Sequence, residues 1–455
     1  MKMKTWFEEN KNSLTEDWFE FLRFPTVGTD PAHLEDCDHC AAWLTRWLEA
    51  LGFEVTPLGP ASAPKVLLAT RQGEDSAMRT VMLYGHYDVQ PADPLGEWTS
   101  DPWEPTVRGD RVYARGAQDN KGQLWWSLQA IRACIETKTP LPTLKIVLDG
   151  QEESGSSELM KLVESRPELF NADVLMVADT GMMNDGRPAI TVGLRGVSSV
   201  GYRLHGPDHD LHSGSHGGLA PNPAIELARI VASFYNEDGS IAVEGFMDGV
   251  LAPTEAELAL VMSEPFDEVA YKHQTGVAPI GGQRGVAPQI RGCLAPTLEV
   301  NGFHSGYGGE GGKTIIPAYA DVKLSMRTVM GQTPEQCLGA VQRHFERSVK
   351  PGMRLETTHC KAGASALRVP YDSPALVQAR AILATMDPRG CAVCYEGASI
   401  HIIGALVSAS GAEAILAGFG LGQDRIHSPN ESYSFHQCGL CFDYTAAFLT
   451  GCGAS

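Results

Sequence analysis

Between residues 65 and 180 short apolar runs alternate with helix-length segments, and nearly every run stops at a glycine, a histidine or an acid. The runs are Lys65 to Thr70, Thr80 to Gly85, Thr143 to Gly150 and Val174 to Ala178. Continuous apolar stretches of this length read as strands buried on both faces. The segments between them, from about Gly122 to Glu136 and from about Ser157, carry helical spacing. Strand followed by helix, repeated, commits a chain to a layered α/β sheet. Such sheets carry their sites at the carboxyl ends of the strands.

The flanking regions extend this plan. Trp18, Phe19 and Leu22, then Trp43, Trp47 and Leu51, recur at helical spacing, so the first 50 residues read as two helices. From about Gly196 the texture changes. Ser198–His205 and Ala320–Arg327 alternate like half-exposed strands, and Pro223–Tyr235 and Pro334–Val349 read as helices. Buried strands and helices return after Tyr371. The expected fold is α/β: a layered catalytic domain with a mixed, mostly parallel central sheet flanked by helices. A smaller α+β lid or dimerisation domain is inserted in it. The expected boundaries are 1–195 with 369–455 for the catalytic domain and 196–368 for the insertion.

Composition narrows the function classes. The net charge is −19, which argues against a nucleic-acid footprint and against attraction to anionic membranes. No run of 18 apolar residues suggests a membrane span, and the acid-bearing amphipathic N-terminus does not resemble a signal peptide. Eleven cysteines include three C-x-x-C pairs, Cys37/Cys40, Cys391/Cys394 and Cys438/Cys441. Their wide separation favours free thiols over a structural zinc site, and free thiols suit a reducing compartment. The expected location is cytoplasmic.

Chemistry-bearing residues gather at the strand ends. His86 and Asp88 follow the second run, and period two points them the same way. They suit a ligating imidazole with its carboxylate partner, or a structural pair. Asp119 sits in a Gly-flanked loop before a helix, as a ligand or as an N-cap. Glu152 and Glu153 follow Asp149; neighbouring side chains diverge, so one can bind metal while the other faces a reacting water. Asp179 closes the fourth run, and His427 stands far off in sequence. Together His86, Asp119, Glu153, Asp179 and His427 offer two imidazoles and three carboxylates, a set for zinc, manganese or cobalt. Five ligands exceed one open catalytic zinc. They suit two ions sharing a carboxylate, roughly 3.5–4 Å apart.

These residues and their surroundings resemble the di-zinc metallopeptidases that include carnosinase-type dipeptidases, aminoacylases and carboxypeptidase G. The resemblance covers nearly the whole chain through GHYDVQP, W-x-x-x-P-W-E-P, YARGAQDNKG, EESGS, GLRG, DLHSG, GGKTIIP, EGASI and HSPNE. The carnosinase-type branch is nearest. The resemblance implies one ion on His86 and Asp179, another on Glu153 and His427, and Asp119 bridging. It implies Glu152 as general base and Asp88 orienting His86. It gives the insertion a homodimer interface, with His212 reaching the partner's active site to stabilise the oxyanion. It assigns the substrate carboxylate to Arg327 and the pocket lining to Glu396, Gly397 and Ser399. The implied substrates are dipeptides or short peptides, with N-acyl amino acids as the alternative and a non-catalytic metal-binding scaffold as the remaining one.

The chain departs from that pattern in places. Asn120 follows Asp119 where a second acid is common, and no loss is expected from it. The loop usually reading Gly-Gly-Ser-Ile-Pro is Gly397-Ala398-Ser399-Ile400-His401, so specificity is where this chain should differ. Gly306–Thr314 nearly matches a phosphate-binding loop, but Tyr307 stands where glycine is required. No G-x-S-x-G marks a serine hydrolase.

Overall fold

The computed structural model describes residues 2–74 and 78–451. The chain forms two compact units, Met1–Val192 with Val369–Cys394 and Ile402–Ser455, and Gly193–Arg368 with Tyr395–His401. Residues 395–401, which the sequence reading leaves with the first unit, belong to the second.

The first unit is built on one mixed sheet. Its strands run in the order Glu54–Leu58, Val66–Arg71, Leu144–Asp149, Val81–His86, Val174–Val177, Glu413–Leu416, Ala189–Leu194. The expected preponderance of parallel strands is confined to the centre. Leu144–Asp149, Val81–His86, Val174–Val177 and Glu413–Leu416 are parallel to one another, and the steps from Glu54–Leu58 through Val66–Arg71 to Leu144–Asp149 and from Glu413–Leu416 to Ala189–Leu194 are antiparallel. The central strands are also the most uniformly apolar, because helices cover parallel strands on both faces.

Helix Lys121–Glu136 packs against Val81–His86 and against helices Lys2–Arg23 and Phe435–Gly451. Every residue from Lys121 to Ile131 is buried, as expected of a helix enclosed on all sides. Trp18, Phe21, Trp43, Trp125 and Trp126 form an aromatic cluster around it. The buried Lys121 ammonium donates to the carbonyls of Phe21 and Phe24 at 3.0 and 2.7 Å. It thereby satisfies acceptors that the end of helix Lys2–Arg23 leaves open. Gly122 is obligatory: a Cβ there would lie 1.9 Å from the carbonyl oxygen of Ala117.

The second unit holds a four-stranded antiparallel sheet in the order Thr297–Ser305, Tyr319–Thr328, Gly196–His205, Arg354–Ala362. Helices Pro223–Ala232 and Pro334–Ser348 pack on it. Val200, Tyr202, Leu204, Val322, Leu324 and Met326 meet Leu227, Ile230, Val341 and Phe345 in its core. Alternation then places Ser325 and Arg327 on the opposite face from Leu324 and Met326. Three short helices, Glu255–Ser263, Glu268–Thr275 and Pro288–Cys293, lie in a stretch whose sequence shows no sustained apolar period.

Among the described residues every cysteine is free, and the clusters able to hold a metal contain only histidine and carboxylate. No described helix is long and apolar enough to cross a membrane.

Candidate metal centre

Three adjacent parallel strands deliver side chains to one edge of the sheet. His86 ends its strand and is in register with Asp149 on one side. Glu152 and Glu153 follow Asp149 in a short 3-10 turn. On the other side Tyr84 is in register with Val177, two residues before Asp179. Asp119 arrives from the loop before helix Lys121–Glu136. His427 arrives from the loop after Glu413–Leu416, with its own φ at 58°.

The five residues form two groups that share Asp119: His86, Asp119 and Asp179, and Asp119, Glu153 and His427. The sharing is resolved at the level of atoms. Asp119 Oδ1 lies 3.3 Å from His86 Nε2, and Asp119 Oδ2 lies 2.9 Å from His427 Nε2. His86 Nε2 is 3.7 Å from Asp179 Oδ1, and His427 Nε2 is 3.4 Å from Glu153 Oε1. Two ligand atoms each ~2.0 Å from a tetrahedral zinc are roughly 3.3 Å apart, so these spacings suit first contacts to an ion. Glu153 Oε1 is buried and receives no hydrogen bond. A carboxylate oxygen is rarely left so unless a cation is intended for it. The donor set therefore fits two divalent ions. The N-cap alternative for Asp119 is set aside: Asn120 stands at the cap position, without a side-chain cap bond.

The electrostatics follow from crowding. Burial raises Asp119, but its hydrogen bonds to His427 and His86 prevail and hold it well below the ordinary carboxylate range. The same contact to Asp119, then that to Glu153, pushes His427 up to about 10. Burial lifts the Glu152 carboxyl well above its usual value; Asp179, Glu153 and Asp88 add to the rise and His86 opposes it. Glu152 belongs to neither ligand group.

Around these groups lies a layer of residues that hold them. His86 Nδ1 donates to the backbone carbonyl of Asp88 at 3.0 Å and is 3.3 Å from its Oδ1, which leaves Nε2 free to face an ion. The Asp88 carboxylate does more than face His86. It accepts the backbone N–H groups of Glu152 and Glu153, each at 3.1 Å, and so fixes the turn bearing both acids. Gln90 donates to Glu153 Oε2 at 2.7 Å. Asn120 donates to Asp179 Oδ1 at 2.9 Å and to the Ala178 carbonyl at 2.8 Å, and accepts the His86 N–H at 3.3 Å. An amide suits that place better than a second acid, since it must donate to a carboxylate.

Glu431 is fully buried and pairs with Arg115 at 2.7 Å. It accepts the backbone N–H groups of Gly116, Gln118 and Asp119 at 2.9 to 3.0 Å. It thereby joins the His427 loop to the Asp119 loop. Asn430 assists, bonding to Thr99 and Glu97. The sequence reading quotes Glu431 beside His427 but gives it no task. A buried acid among backbone donors is a tertiary fact, and only its place directly before strand Ser432–Ser434, which pairs with Arg111–Tyr113, hints at it.

The remaining expected site residues lie in the second unit. Arg327 Nη1 donates to Ser399 Oγ at 2.9 Å, and the Gly397 carbonyl accepts from Arg195 Nε at 3.0 Å. Arg195 is absent from the expected site residues, although it lies within the GLRG stretch. Glu396 ends strand Ala392–Glu396. His212 is exposed on a two-residue strand opposite Ile315, and its Nδ1 accepts the Gly214 N–H at 3.1 Å. The near-match to a phosphate loop is excluded by context. Strand Ile315–Ile316 rather than a helix follows it, and Lys313 is paired with Asp210 at 3.0 Å.

Comparison with known proteins agrees with this geometry. Residues 82–451 match the model of peptidase family M20/M25/M40. The Cys-Gly metallodipeptidase dug1 of Schizosaccharomyces pombe is 31% identical over 386 residues, 81% of this chain and 78% of that one. The beta-Ala-His dipeptidase of Homo sapiens is 32% identical over 286 residues, 62% of this chain and 56% of that one. Among solved structures, the M20 family metallo-carboxypeptidase Sso-CP2 from Sulfolobus solfataricus superposes with a TM-score of 0.88 at 28% identity, covering 97% of this chain and 99% of that one.

Proposed function

The chain belongs to peptidase family M20/M25/M40 and is a metallodipeptidase; we propose that it cuts the amide bond of dipeptides or short peptides with a free C-terminal carboxylate, with Glu152 as the general base. The observation that carries this reading is Asp119, whose two oxygens face two histidines in two separate ligand groups. His86 and Asp179 would hold one ion, Glu153 and His427 the other, and Asp119 both. Zinc is the proposed metal, with manganese or cobalt as substitutes. When bound, the ions supply Lewis acidity to the scissile carbonyl and acidify the attacking water.

The protein's own residues do the rest. Glu152 takes a proton at its carboxylate from the attacking water and returns it to the leaving amine. Asp88 holds the Glu152 N–H, so the base and the ligand Glu153 move as one turn. Arg327 offers a bidentate fork to the substrate's C-terminal carboxylate, and Glu396, Gly397 and Ser399 line its surroundings. His212, from the partner subunit of a homodimer formed through the inserted unit, donates to the developing oxyanion.

The test is hydrolysis of a panel of dipeptides and N-acyl amino acids. Metal-stripped protein is assayed, then resupplied with zinc, manganese or cobalt, with Glu152→Gln as control. Metal-restored cleavage of dipeptides and an inactive control support the reading. Cleavage of N-acyl amino acids alone would make the enzyme a deacylase with the same centre. No cleavage with any metal would leave a scaffold.

A further inference from the structure

Helix Glu255–Ser263 of the second unit fully buries a single side chain, and that side chain is an acid. Glu257 is 6% exposed, while Leu258, Leu260 and Val261 of the same helix are only half-buried. A carboxylate is rarely buried without partners, and Glu257 divides its two oxygens between two tasks. Oε2 accepts the Thr254 N–H at 2.7 Å and the Thr254 hydroxyl at 2.8 Å, which closes a capping box at the helix start. Oε1 accepts the Tyr395 hydroxyl at 2.9 Å and pairs with Arg368 Nε at 2.6 Å. Burial works to raise the carboxyl, but these contacts together hold it below its ordinary value. The capping box accounts for one oxygen. The other oxygen, and the burial, belong to the contact with Tyr395 and Arg368.

Tyr395 opens the segment Tyr395–His401, which the second unit claims. Its ring lies against Gly193, where a Cβ would come 2.2 Å from Tyr395 Cδ1, and Gly193 is in register with Arg368. Further along the segment, the Gly397 carbonyl accepts from Arg195 Nε at 3.0 Å. Ser399 donates to the Arg195 carbonyl and accepts from Arg327 Nη1 at 2.9 Å. The segment is thus tied at Tyr395, at Gly397 and at Ser399, and Glu257 supplies the first tie.

We propose that Glu257 is a positioning residue for substrate binding: through the Tyr395 hydroxyl it holds the loop that carries Ser399 against Arg327, so that the carboxylate-binding groups are in place before substrate arrives. The inference rests on the reading that Arg327 and Ser399 meet the substrate carboxylate, and deepens it. A loop ordered in advance does not have to be ordered at the moment of binding, and affinity gains by that difference. Loss of the Tyr395 tie leaves the metal ligands and Glu152 as they are, so its effect falls on KM rather than on kcat.

The experiment measures kcat and KM of the metal-loaded full chain on the best substrate of the panel, since dipeptides and N-acyl amino acids both end in a carboxylate. Tyr395→Phe removes one hydroxyl and leaves the capping box and the Arg368 pair. It is expected to raise KM about three- to tenfold, the scale of one hydrogen bond, with kcat within about twofold. Glu257→Ala, which removes the acceptor, is expected to raise KM at least as much. Ser399→Ala sets the reference: added to it, Tyr395→Phe should raise KM no further, because both act on one contact. Hydrogen exchange at residues 396–399 should quicken in Tyr395→Phe while helix Lys121–Glu136 stays protected, which separates release of the loop from general unfolding. If Ser399→Ala raises KM but Tyr395→Phe does not, or if their effects multiply, or if exchange is unchanged, the inference is overturned and the carboxylate-site reading stands. If Ser399→Ala leaves KM unchanged, or no substrate is cut with any metal, that reading falls and takes the inference with it.

Discussion

Asp119 presents one oxygen to each histidine, and this division governs how the centre responds to protons. With the contacts to Asp119 and Glu153 raising His427 to about 10, the metal-free imidazole is protonated at neutral pH. An ion must displace that proton to reach Nε2. Metal affinity should therefore rise with pH between 6 and 9, with protons released on binding. Chelator competition across that range, with calorimetry in buffers of different ionisation enthalpy, reads both quantities; a flat affinity would refute the proton competition. Glu152 lies outside both ligand groups, so Glu152→Gln should cut kcat by roughly 10²–10⁴-fold while metal stoichiometry stays at two. Loss of metal along with activity would instead make Glu152 a ligand. The residue types at these positions, and their placement at strand ends, are legible in the chain. The split between the two oxygens of Asp119 is not, because it depends on a histidine 308 residues away.

At the scale of elements, the site is made of loops that hold one another. Asp88 gathers the Glu152–Glu153 turn onto the end of strand Val81–His86, and Glu431 gathers the Asp119 loop onto the His427 loop. Removing such a partner leaves the ligands present but misaimed, a loss typically of 10–100-fold in metal affinity. Glu431→Gln is expected to show that loss at unchanged far-UV circular dichroism. Because Arg115 would then be buried unpaired, Arg115→Met/Glu431→Gln serves as the companion; recovery of full affinity in it would trace the effect to the stranded charge. Helix Lys121–Glu136 makes a separate demand. Gly122→Ala forces a Cβ onto the Ala117 carbonyl and is expected to cost at least about 1–3 kcal/mol in chemical denaturation. The helix was readable from its spacing, but not its burial on every side. The need for glycine was not, since it arises from a loop folding back on the helix start.

For the whole molecule, ions that bind only the folded chain stabilise it by mass action. Chelation should lower the melting temperature, and zinc at about 100 times its dissociation constant should return roughly 2.7 kcal/mol. The homodimer proposed from His212 is tested by light scattering with activity measured at the same concentrations; a fully active monomer would remove His212 from the mechanism. What the sequence determined by itself was the α/β layering with a parallel centre to the sheet, a separate body of alternating strands, and the residue types placed at the strand ends. Those are consequences of hydrophobic period and of which side chains interrupt it, and both are local. What only the tertiary structure decided was the antiparallel margins of the sheet, the membership of Tyr395–His401 in the second unit, the holding roles of Asn120, Gln90 and Glu431, and the hydrogen bonds by which Arg195 and Arg327 hold Gly397 and Ser399. Those depend on distances between residues far apart in the chain. No spacing along a sequence encodes them, because a buried charge or amide is defined by what surrounds it after folding.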